Sequence, residues 1–112
     1  MPTFHLTIVS ANGKAYEDQV ESLVLPGVNG DFGILANHTA LIGALREGLA
    51  KITRDGQELF YMVGEGYVDV ANNEVAVMVG NAAAVPNRET GKQLLAQEHP
   101  WAAAEALNNP EI

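Results

Sequence analysis

No cysteine occurs in the 112 residues. Disulfides, thiolate nucleophiles and cysteine-ligated zinc or iron–sulfur centres are therefore excluded. Basic residues are scarce: six Lys and Arg stand against fourteen Asp and Glu, a net charge of −8. Nonspecific attraction to nucleic acid or to an anionic membrane surface is disfavoured, and partners are expected to be basic or neutral. No apolar run approaches the ~20 residues needed to cross a bilayer. The start Met1-Pro2-Thr3-Phe4 has neither a basic leader nor an Arg/Ser-rich transit segment, so the expectation is a mature soluble chain without direct membrane insertion.

Chemical machinery is equally sparse. The histidines His5, His38 and His99 fall in a strand, a loop and near a helix end, with no pair at i, i+4 ligand spacing. No GxGxxG motif occurs, and Gly91-Lys92 is followed by Gln93, so there is no Walker-type phosphate loop. Glu17, Asp18 and Glu21 sit in a turn-to-strand region and read as solvated surface; a glycosidase-type acid pair is a remote alternative. The expectation is no catalytic residue, no metal and no cofactor.

What the chain does have is strand alternation and dense turn chemistry. Phe4, Leu6 and Ile8 alternate with His5, Thr7 and Val9 until Asn12-Gly13 breaks the pattern. A second strand is expected over 20–25, and further strands over 41–45, 49–54, 59–63, 67–70 and 75–79. Asp55-Gly56 and Asn72-Asn73 mark two hairpins. Between Leu25 and Leu41, three glycines, Pro26, Asp31 and His38 read as a built loop, with Ile34-Leu35 as a short buried strand inside it. Gly27, Gly30 and Gly33 are expected to supply positive φ or close backbone approach. Core positions are expected at Phe4, Leu6, Ile8, Leu23, Leu25, Ile52, Val63, Val68, Val70, Val75 and Val77.

Composition shifts over 81–86, where β-branched residues give way to Ala, Gln, Glu and Leu. Asn87 and Thr90 are both candidate caps for a helix reaching toward His99. Pro100 suits the first turn of a second helix carrying Trp101, Ala104 and Leu107, and Asn108-Asn109-Pro110 would stop it. The expected fold is mostly β: an antiparallel sandwich or barrel over 1–85, followed by a short α-helical hairpin over 86–112.

An ordered series of segments then carries a resemblance. FHLTIVS (4–10), Tyr16, the 20–26 strand, GDFGIL (30–35), His38, Leu41, YMVGEGYVDV (61–70) and NEVAV (73–77) follow the order and spacing of the epsilon subunit of F-type ATP synthase, called delta in mitochondria. The resemblance implies that the strands form an antiparallel two-sheet β-sandwich, and that the chain is a non-catalytic rotor subunit on the cytoplasmic side of a bacterial inner membrane, linking the gamma subunit to the membrane c-ring. It implies a c-ring contact at Gly30, Asp31, Phe32 and Gly33, and a gamma contact at Ser10, His38 and Thr39. Gly64-Glu65-Gly66 departs from the family's Ser-Gly-Gly, and Glu65 is expected to point outward. The helical segment is shorter than the family's usual pair and lacks the family's Ile/Leu-Asp-x-x-Arg-Ala segment. Neither ATP binding through that segment nor strong inhibition of hydrolysis is expected. A free-standing β-sandwich binding module and a small hydrolase are the alternatives; the first leaves the ordered motif series unexplained and the second lacks a convergent catalytic cluster.

Overall fold

Alternation of large apolar with short or polar residues makes most of this chain extended, because such a segment buries one face only as a strand. The structure, a computed structural model, describes residues 1–108. In chain order it comprises β1 (Phe4–Ser10), β2 (Gly13–Val20), β3 (Ser22–Gly27), β4 (Gly30–Leu35), β5 (Leu41–Leu45), β6 (Gly48–Arg54), β7 (Gln57–Val63), β8 (Gly66–Ala71), β9 (Glu74–Val79), β10 (Ala82–Val85), α1 (Arg88–Leu95) and α2 (Pro100–Asn108). The strands run in the order β10-β7-β6-β3-β5-β8-β9-β1-β2, with β4 paired to β3 alone. This long sheet folds on itself as a sandwich.

One core cluster fills the interior. Phe4, Leu6, Ile8, Leu23, Leu25, Ile52, Val63, Val68, Val70, Val75 and Val77 are all buried in it, as the alternation predicts, together with Val20, Ile34, Leu45, Ala50 and Val79. The tight turns follow their sequence cues. Asp55 and Gly56 have φ of 51° and 76°, and Asn72 and Asn73 have φ of 53° and 61°, the paired left-handed geometry that matches strand twist in a two-residue hairpin.

A second cluster forms on the outer face of the other sheet half. Alternation along β7 sends Val63 inward and Phe60 and Met62 outward, where they meet Val85, Leu94 and Ala104, flanked by Leu49 and Trp101. The helices therefore serve as a lid over β6, β7 and β10. Asn87 is the cap of α1, its Oδ1 accepting from the Thr90 backbone N–H at 2.7 Å. Thr90 lies inside the helix instead. Trp101 Nε1 donates to Glu47 Oε2 at 2.8 Å and ties α2 to the sandwich.

Several expectations need correction. Residues 13–20 form a full strand, although their alternation is weak, because β2 is an edge strand held by pairing with β1 across a bulge at Ile8/Val9. Consequently Val20 ends β2 and does not start the next strand. The built loop is largely a hairpin, since β3 and β4 pair from Ser22↔Leu35 to Gly27↔Gly30. Ile34 is buried, but Leu35 is 63% exposed because alternation turns it outward. One pairing is parallel, β1 with β9; after a long excursion the chain comes back to its amino-terminal strand with β9. Helix α1 closes at Leu95 and not near His99, since the chain must turn there for α2 to fold back on the same cluster. The expected stop at 108–110 lies largely outside the described residues.

Candidate functional site

The registers sort the loops into two ends. Gly27 pairs with Gly30 and Leu45, Leu45 with Gly66, and Gly66 with Val79, and Ser10 ends β1 beside the last residues of β9. These positions share one end of the strand array. Leu35, Leu41, Val70 and Glu74 share the other. There Asn73 Oδ1 accepts from the Asn37 N–H at 2.7 Å, while its Nδ2 donates to the Thr3 carbonyl at 2.9 Å, locking the turn that carries His38 to the start of β1.

This arrangement separates some residues that the sequence grouped together. Gly30, Asp31, Phe32 and Gly33 stay contiguous on β4 at the first end. Ser10 shares that end, its hydroxyl accepting from the Asn12 N–H at 3.3 Å. His38 and Thr39 lie at the opposite end, one strand length away, about 20 Å at ~3.3 Å per residue. His38 Nδ1 and the Thr39 carbonyl are 2.7 Å apart, so the imidazole is engaged with local backbone.

Alternation on β4 puts Asp31 and Gly33 outward while Phe32 packs half-buried against the core. Gly30 has φ of 123° and needs to be glycine. Gly33 does not: its φ is ordinary, and an added Cβ would find no atom nearer than the Leu23 carbonyl at 4.0 Å. Asp31 is not an unpaired acid. Arg46 Nη2 donates to its Oδ1 at 2.6 Å, leaving Asp31 61% exposed. Nothing in the local pattern marks this pair, whose members are fifteen positions apart and meet only because the β3–β4 hairpin lies against the end of β5. Glu65 is exposed, as expected.

A further feature escaped the sequence altogether. On the outer face of β5, β8, β9 and β1, Ala44 lies opposite Tyr67, Tyr67 opposite Met78, and Met78 opposite Val9. All four are exposed, Tyr67 at 59%, and Ile42 of the adjacent row is 76% exposed. Each residue alone looks like ordinary surface. Only register makes them a continuous apolar row across four strands.

Three side chains have shifted pKa values, Glu17 and Tyr16 on β2 and Tyr61 on β7. Hydrogen bonds from Lys14 and His5 hold the Glu17 carboxyl below its usual range. Burial pushes the Tyr16 and Tyr61 hydroxyls up, and their rings meet edge-on at 5.5 Å. Among the described residues no group of three or more His, Asp or Glu is placed to hold a metal, and no helix is long and apolar enough to cross a membrane.

Comparison with known proteins fits this architecture. Residues 3–85 match the family model described as the ATP synthase delta/epsilon chain, beta-sandwich domain. An ATP synthase epsilon chain from Bordetella avium is 35% identical over 111 residues, covering 97% of this chain and 76% of that one. Another from Desulfitobacterium hafniense is 33% identical over 96 residues, covering 86% and 73%. Among solved structures, a chain in the Euglena gracilis mitochondrial ATP synthase OSCP/F1/c-ring structure superposes with a TM-score of 0.70 at 19% identity, over 85% of this chain and 64% of that one. One in the central stalk and c-ring structure from Tetrahymena thermophila gives 0.62 at 16% identity, over 84% and 71%. These last two establish a shared fold. With the family model spanning most of its length and relatives above 30% identity, the chain belongs to the delta/epsilon chain family of ATP synthase.

Proposed function

We propose that the chain is a non-catalytic rotor subunit, peripheral on the cytoplasmic side of a bacterial inner membrane, joining gamma to the c-ring so that ion-driven rotation is coupled to ATP synthesis. The observation that carries this reading is the asymmetry of the sandwich. Helices cover the outer face of one half, whereas the other half leaves the Val9–Met78–Tyr67–Ala44 row open to solvent. A contiguous exposed apolar patch is the mark of a protein-docking surface. Residues 1–85 are then the docking domain and 86–112 a helical appendage.

Within this reading, Gly30, Asp31, Phe32 and Gly33 form the c-ring contact. Ser10, His38 and Thr39 belong to the gamma contact, which must run the length of the sandwich to include them all. Asp31 would share its carboxylate between Arg46 and a basic group of the c-ring; exposed ion pairs contribute only ~0.2–1 kcal/mol each, so they set register and apolar packing supplies affinity.

Co-expression with gamma tests the docking face. Wild type should co-purify stoichiometrically, and the double variant Tyr67→Glu, Met78→Glu should retain its melting temperature yet lose gamma. Undiminished gamma binding would sink the assignment. For the c-ring contact, Asp31→Lys should lower coupled ATP synthesis more than Arg46→Gln, which breaks the internal pair alone; equal coupling in wild type and Asp31→Lys would refute it.

A further inference from the structure

Among the asparagines of this chain, Asn12 and Asn29 alone are followed by glycine. That dipeptide has a chemistry of its own, because a peptide nitrogen with no side chain beside it can reach the amide carbon of the preceding side chain. Asn12-Gly13 closes the β1–β2 hairpin and Asn29-Gly30 the β3–β4 hairpin. The registers set both turns at the end of the strand array that carries Ser10 and Asp31. Both asparagines are exposed. Gly13 and Gly30 have φ of 113° and 123°, open only to glycine, and an added Cβ at either would meet no atom within 4 Å. In these respects the two sites are equivalent.

Their hydrogen bonds differ. At the first turn the Ser10 hydroxyl accepts from the Asn12 N–H at 3.3 Å and donates to the Gly13 carbonyl at 3.4 Å, a brace across the whole Asn-Gly unit. At the second, the Val28 N–H donates to the Ala44 carbonyl at 3.1 Å and fixes the entry to the turn. Beyond that point no side chain holds Asn29 or the Gly30 peptide among the described residues. Asn29 instead borders a cavity of about 370 Å³ lined also by Gly27, Phe32, Gly43 and Ala44. Its amide has room to swing onto the Gly30 nitrogen.

We propose that Asn29 is a site of self-modification, converting to aspartate and isoaspartate through a cyclic imide, ahead of Asn12. The Gly30 peptide nitrogen gives up its proton to a base in solution and attacks Asn29 Cγ. A C–N bond forms, and the side-chain nitrogen takes up a proton and leaves as ammonia. Water then adds to one of the two imide carbonyls and breaks one C–N bond, giving aspartate or isoaspartate. Nothing is oxidised or reduced, and water is the only co-reactant. Either product adds a carboxylate two residues from Asp31, whose partner Arg46 thereby gains a second acid in the same hairpin. Isoaspartate also inserts one more carbon into the backbone of the turn, where Gly27 pairs with Gly30. The negative charge of this end therefore grows with the age of the chain. The inference needs neither gamma nor the c-ring and stands apart from the rotor assignment.

Incubating the full chain in mildly alkaline buffer and mapping its peptides by mass tests it. Asn29 should convert first and severalfold faster than Asn12, while Asn37, Asn72 and Asn81, each followed by a residue with a side chain, stay unchanged over the same period. An isoaspartyl methyltransferase should label the Asn29 peptide. Ser10→Ala should accelerate Asn12 and leave Asn29 at its own rate, with melting curves to verify folding. In urea, where both turns are lost, the two sites should converge on one rate. An Asn29 that stays unconverted in the folded chain, or equal rates at Asn12 and Asn29 there, overturns the proposal.

Discussion

Gly66 shows how much one position can decide. A Cβ there would lie 2.0 Å from the Met78 carbonyl oxygen, because β8 and β9 cross closely where the Gly64-Glu65-Gly66 turn enters the sheet. Gly66→Ala should therefore cost about 3 kcal/mol or more, at the severe end for single substitutions, read as a lower denaturant midpoint. Gly33→Ala is the contrast: with ordinary φ and open space it should shift the midpoint by less than about 0.5 kcal/mol. Glu17 provides a pH test. Its folded-state pKa is depressed, chiefly by the Lys14 hydrogen bond, so its stabilising contribution is present above its unfolded pKa and lost as pH falls through the folded value. Glu17→Gln should flatten the acid limb of a stability-versus-pH curve; an unchanged limb would show that the pair contributes nothing. The tyrosines act at the other extreme. Their raised values favour the neutral hydroxyl in the fold, so that contribution is full below the unfolded pKa and fades as pH rises through the folded values.

At the scale of elements, α1 is too short to persist alone, since isolated helices under ~12–15 residues are marginal in water. Its eight residues hold because Asn87 caps one end and Leu94 seats in the second cluster. Asn87→Ala should cost about 0.5–2 kcal/mol, and Leu94→Ala about 2–5 kcal/mol of local stability. Hydrogen exchange should show both losses confined to the helices and the outer face of β7. Exchange accelerated equally in β1 and β9 would mean that the helices and the sandwich unfold as one unit. The strands differ in what fixes them. β1 and β9 declare themselves by alternation, whereas β2 exists because β1 offers a partner, which no local pattern shows.

The whole molecule is a sandwich with one covered and one open outer face, and this decides how its regulation can be tested. Removing 87–112 would uncover Phe60, Met62 and Val85, so loosening the helices is the better perturbation. Trp101→Ala combined with Leu94→Ala should free them without unfolding the sandwich. If the released helices acted as a brake, hydrolysis by the reconstituted enzyme would fall. The expectation is an unchanged hydrolysis rate, because Pro100 prevents α1 and α2 from joining into one continuous rod; a severalfold fall would show a working inhibitory arm.

Local pattern alone set the inward faces of the strands, the turns at Asp55-Gly56 and Asn72-Asn73, and the family, through motifs kept in order, while it left Asn87 and Thr90 as equal caps for α1. Each follows from a residue and its near neighbours. Tertiary structure alone decided what depends on register between distant strands. It brought Arg46 onto Asp31, separated Ser10 from His38, released Gly33 from conformational duty, and aligned Val9, Met78, Tyr67 and Ala44 into one row. Period-two alternation says which way a side chain points. Only the pairing of strands far apart in sequence says what it will stand beside.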